Sequence, residues 1–145
     1  MNTSAFLANV TITPPNPPFG AAFAAAEILI PPPTPNFPIP YIYVSNRNIG
    51  TPDPRGDTIA IFERTSTPNC KGSLLTLVAQ VYTGLDQIRG MQFGPAKNGG
   101  EAYLVAAGVA GRGGVVVYER TDGGSGLKEV ARNKDVPTRS SFVWV

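Results

Sequence analysis

Apolar residues in this chain come in short runs, mostly β-branched or aromatic, and each run stops at Gly, Pro, Asn or Asp. That punctuation is how strands and turns are written, since β-branched and aromatic side chains fit a pleated surface while turn residues supply the unusual backbone angles. The runs YIYVSN (41–46), TIAIFE (58–63), LLTLVAQVY (74–82), AYLVAAG (102–108) and GVVVYER (114–120) therefore predict strands. The stretch AAFAAAEILI (21–30) mixes helix-favouring alanine with β-formers, but its proline-rich flanks predict a strand there too. No long segment spaces its apolar residues at helical period, so the fold class is all-β. The segments PPNPPFG (14–20) and PPPTPNFPIP (31–40) lack the donors for a ladder and predict extended surface connections.

The runs also repeat. IAIFER (59–64) returns as VVVYER (115–120), LTLVAQ (75–80) as LKEVAR (127–132), and YIYVSN is answered by AYLVAAG. A repeat of about four strands is how a β-propeller blade looks in sequence: one small twisted antiparallel sheet that buries its faces only against neighbours. The reading is one partial propeller domain over 1–145, with about two four-stranded antiparallel blades plus flanking strands and an incomplete ring. Its parts are a lead at 1–20 with an outer strand near FLANVTIT (6–13), a first blade at 21–83, a second at 84–136, and a terminal strand at 137–145.

Extending the repeat places QIRGMQF (87–93) at the start of the second unit, AAEILI (25–30) in the same slot of the first, and TRSSFVWV (138–145) in that of a third. Glu27, Arg89 and Arg139 are then expected at equivalent positions on three innermost strands, facing a central channel where polar side chains meet water or a ligand. Two roles fit: a Glu27–Arg89 ion pair on the channel wall, or guanidinium groups of Arg89 and Arg139 holding a carboxylate or phosphate. Asn46 and Arg47 end a strand and are further ligand-contact candidates at the channel mouth.

Composition narrows the chemistry. There is no histidine, so proton transfer near neutral pH has to rest on other groups. Charged residues are 15% of the chain and the net charge is +2, too little for a phosphate-backbone surface, so nucleic acid is not expected. The single cysteine, Cys70, excludes an internal disulfide and a thiolate cluster, and no metal or cofactor is expected. No apolar run approaches a membrane span or a secretion signal, which makes a soluble, cytoplasmic chain the default; sequons at Asn2 and Asn9 matter only on export. GVAGRGG (108–114) lies between two strands and reads as a hairpin connection, not a phosphate loop, and the RGD triplet in DPRGD (53–57) reads as a charged turn.

At these residues the chain resembles a known family. AAEILI, YIYVSNRN, GDTIAIFE, GLDQIRGMQFGP, YLVAAG, GVVVYER and SFVWV are similar to the C-terminal portion of seven-bladed lactonase propellers. That family includes propeller-type 6-phosphogluconolactonases and fungal carboxy-cis,cis-muconate lactonizing enzymes, and the proline-rich insertion with DPRGD looks most like its fungal members. The resemblance implies a channel that holds a small acidic lactone. Arg89 matches the family's strand-opening arginine, with Ile88 where a proline is usual, and Glu27 matches its acidic inner-strand residue. On that basis Glu27 is the candidate base, Arg89 the electrostatic partner and Arg139 the holder of the substrate's acid group. The family's catalytic histidine has no counterpart here. The other expectation is a non-catalytic β-module that associates with itself, its last strand adding to another copy's sheet or its blades stacking face to face, with Trp144 as an anchor.

Overall fold

The computed structural model describes residues 11–66, 73–111, 113–136 and 141–145. Arg139, Cys70, both sequons and the start of the expected strand at 6–13 lie outside the described residues.

Among the described residues, eight strands form two four-stranded antiparallel sheets, each a simple meander. The first sheet holds β1 (Phe23–Leu29), β2 (Ile42–Asn48), β3 (Thr58–Ser66) and β4 (Ser73–Tyr82) in that order. The second holds β5 (Asp86–Phe93), β6 (Tyr103–Ala110), β7 (Gly114–Thr121) and β8 (Gly126–Asn133). A 3-10 turn at Lys97–Ala102 joins β5 to β6, and a second at Asp122–Gly124 joins β7 to β8. The alanine-rich stretch is a strand: the prolines that follow at 31–33 hold the chain extended, and Leu29 has a sheet face to bury.

The two sheets repeat at the level of single residues. Ile61 pairs with Tyr43 and Val117 with Val105, so β2 and β6 are in matched register against β3 and β7. Each sheet has one extra residue in its first strand and one in its last. In the last strands the extra residues are Val78 and Val130, which the sequence repeat also aligns. A bulge bends a strand and raises its twist, so matched bulges give both sheets the same curvature.

The strict two-residue side-chain period divides each sheet into two faces. Tyr43, Ile59 and Ile61 of the first sheet pack against Leu104, Ala106, Val116 and Tyr118 of the second, with Ile88, Met91 and Leu85 beside them. Val44, Ala60 and Phe62, on the other face of the first sheet, form a smaller cluster with Ile12 and Ile42. The lead is held there without a ladder. Gln80 Nε2 donates to the Ile12 carbonyl at 2.9 Å, Tyr82 Oη to that of Pro15 at 3.1 Å, and Arg55 Nη2 to that of Asn16 at 2.8 Å.

Ser141–Val145 forms no ladder, unlike the strand expected from SFVWV. A strand is defined by its partner, and among the described residues none lies alongside this segment in register.

Candidate ligand-binding site

The first strands of the two sheets, the edge strands β1 and β5, are in contact, and a cleft of about 300 Å³ opens where they meet. It is lined by Glu27 and Leu29 from β1, by Gly90, Met91 and Gln92 from β5, and by Ser141 and Phe142. The β1 bulge explains how a carboxylate comes to face it. Ala25 pairs with Asn46 and Ile28 with Val44, so Ala26 and Glu27 share the single opposite residue Ser45. Ser45 Oγ accepts a hydrogen bond from the Glu27 backbone N–H at 2.9 Å, which satisfies the amide the ladder drops. Across the cleft Gly90 has no side chain, and that leaves room.

These registers correct one expectation. Glu27 and Arg89 are not equivalent: counted from the bulges, Glu27 is level with Gly90, and Arg89 with Ala26. The repeat that relates β2 to β6 puts Glu27 in the Arg89 slot, but the connection from β1 to β2 is one residue longer than that from β5 to β6, so the slots slip by one place. Arg89 is exposed on β5 and does not line the cleft, although its chain neighbour does. No ion pair between Glu27 and Arg89 occurs among the described residues.

The other two candidates sit apart from the cleft. Asn46 is fully buried on β2, donating from Nδ2 to the Ile12 carbonyl and, at 3.2 Å, to Thr58 Oγ1. Arg47 is half-buried, opposite Ala24 of β1, and its Nε has no hydrogen-bond partner. One cleft residue escaped the sequence reading: Gln92, whose Oε1 is buried and without a partner. Its place two residues beyond Gly90 on an inner strand is the only signal it gives.

Two further polar groups tie the sheets together below and above this cleft. Asp57 is 2% exposed, and its carboxylate accepts from the Asn48 N–H at 2.9 Å and from the Ile88 N–H at 3.0 Å, one donor in each sheet. Its own N–H donates to the Leu85 carbonyl at 2.7 Å. Burial raises the Asp57 carboxyl above its ordinary value against the pull of these N–H donors, and the nearby charge of Asp86 adds to the rise. Gly56 beside it has φ +84°, and a Cβ there would stand 2.6 Å from the backbone of Gly84.

At the other end Arg120, 5% exposed, lies over the Phe37 ring at 3.8 Å and donates from Nε to Tyr43 Oη at 3.0 Å. Tyr43 Oη in turn donates to the Gly124 carbonyl, and Arg120 Nη1 to that of Glu101 at 3.3 Å. Burial pushes the Tyr43 phenol up, and the guanidinium pulls it partly back. The proline-rich connection thus has a packing role, since it delivers Phe37 to the arginine.

Fold and site define a mostly β chain of two stacked four-stranded meanders with a polar cleft at the inner edge between them. No family model, curated protein or solved structure matches this chain. Among the described residues no helix is long and apolar enough to cross a membrane, and no group of three or more Cys, Asp or Glu is placed to hold a metal ion.

Proposed function

We propose that this chain is a lactonase-like, propeller-type unit that binds a small acidic lactone at its inner strands. The observation that carries the reading is the cleft between β1 and β5. There a bulge directs the Glu27 carboxylate, and the Gln92 carbonyl oxygen is buried and unpartnered. A polar cleft with a few convergent groups is what orients a small polar ligand. Glu27 is the group that takes a proton from an attacking water, and Gln92 is a contact for the ring substituents. Arg89, exposed on β5 next to the cleft residue Gly90, is the nearby cation that attracts the ligand's acid group toward the cleft.

The test is lactone hydrolysis and ligand titration by NMR on the purified chain, beside Glu27→Gln and Arg89→Ala. The reading predicts shifts of the Gly90 to Gln92 amides on adding a sugar-acid lactone, weakened about tenfold or more in Arg89→Ala. It also predicts turnover above the buffer rate that Glu27→Gln abolishes. Equal rates with and without protein end the enzymatic part, and unmoved amides end the binding part.

A second reading is a self-associating β-module. It is favoured by the apolar tail, in which Val143 and Val145 are 82% and 122% exposed, and by the sheet faces described next.

A further inference from the structure

The way the two sheets dock supplies a pattern that leads outward. Call the face of a sheet that carries Tyr43, Ser45, Ile59 and Ile61 its front, and the face that carries Ile42, Val44, Ala60 and Phe62 its back. Matched registers place Val105, Ala107, Val115 and Val117 on the front of the second sheet, and Leu104, Ala106, Val116 and Tyr118 on its back. The contact inside the chain is front of the first against back of the second. It is therefore heterologous: the two surfaces that meet are different, and each sheet carries both. A contact of that kind leaves at each end one complementary surface on which no further sheet of the described residues packs.

We propose that the front of the second sheet receives the back of the first sheet of a second copy, so that copies stack head to tail; this deepens the self-association reading and rests on it. The incoming surface has the same positions filled with the same kinds of residue as the one already seated in the chain. Phe62 stands for Tyr118, Ala60 for Val116 and Ile42 for Leu104. The receiving surface is apolar along both central strands: Val105 and Ala107 on β6 are already buried within the chain, Val115 and Val117 on β7 are half-buried, and none of the four belongs to either buried cluster of described residues. Matched bulges give the two surfaces the curvature that already fits within the chain.

Two features make the outer contact weaker than the inner one. Val105 stands where the first sheet has Tyr43, so no phenol is there to accept from an arginine as Tyr43 does from Arg120. The back of the first sheet is also covered by the lead, which has to peel away. The lead is held by side-chain donors on its carbonyls and by Ile12, without a ladder, so it is a displaceable cover.

Sedimentation velocity on the full chain, from low micromolar to near-millimolar concentration, tests this. The proposal predicts a mass that rises with concentration and returns to that of the monomer in Val117→Lys and, independently, in Val115→Glu, each shown folded by circular dichroism. It predicts that Ile12→Asp, which loosens the cover, associates at a concentration lower by about tenfold or more. Association undiminished in both valine variants overturns the assigned face but leaves self-association standing through another surface, such as the tail. A monomer throughout, in wild type and Ile12→Asp alike, overturns both.

Discussion

At the residue scale, the polar groups that matter most for stability are the ones buried between the sheets. Asp57 leaves two buried N–H donors stranded if removed, so Asp57→Ala is expected to cost about 2–4 kcal/mol in urea unfolding. Its titration has a definite sign. The folded carboxyl sits above its ordinary value, so its contribution to stability is fully present below that ordinary value and is lost as pH rises through the raised one. The stability of wild type relative to Asp57→Asn should therefore fall as pH rises above the ordinary carboxyl value, and a difference that grows with pH would contradict the account. Arg120→Lys should cost about 1–3 kcal/mol, because an ammonium cannot stack on Phe37 while donating to Tyr43 and Glu101; a midpoint equal to wild type would refute the clamp. None of these partners was legible in the sequence. GD before a strand and ER at the end of one are common, and their partners lie in distant segments.

At the element scale the sequence was far more informative. Runs of β-branched and aromatic residues between turn formers predict five of the eight strands among the described residues, the proline-rich flanks predict β1, and the repeat adds β5 and β8, because strand identity is largely a local property of alternation and punctuation. What stayed hidden were the bulges. A bulge adds one residue without changing composition, and the β1–β2 connection is one residue longer than β5–β6, so the Glu27 and Arg89 slots looked alike and are one place apart. Two glycines at positive φ can be ranked from their surroundings. Gly56→Ala meets Gly84 backbone at positive φ and should cost about 2 kcal/mol or more. Gly123→Ala, with φ +66° but open space around it, should cost only about 1 kcal/mol. Equal losses in thermal or urea midpoints would mean that the close approach of the two loops is not real.

At the scale of the whole molecule, the organising fact is that two sheets of one make dock front to back, which sets β1 beside β5 and creates the inner cleft. The repeat foretold the stacking. The content of the cleft was only partly legible: Glu27 is in it, Arg89 is beside it, and Asn46 and Arg47 lie on β2, paired with β1 in the same sheet and away from the cleft. Function depends on this arrangement, since a different docking would move Glu27 away from Gly90 and bury other faces. The most direct measurement is a set of nuclear Overhauser contacts from the Tyr43 ring, which lies on the front of the first sheet with its centroid 4.9 Å from that of Phe93, edge to face, at the end of β5. Front-to-back docking predicts strong contacts between the two rings. Contacts from Phe93 to Val44 or Phe62 instead, with none to Tyr43, would contradict it.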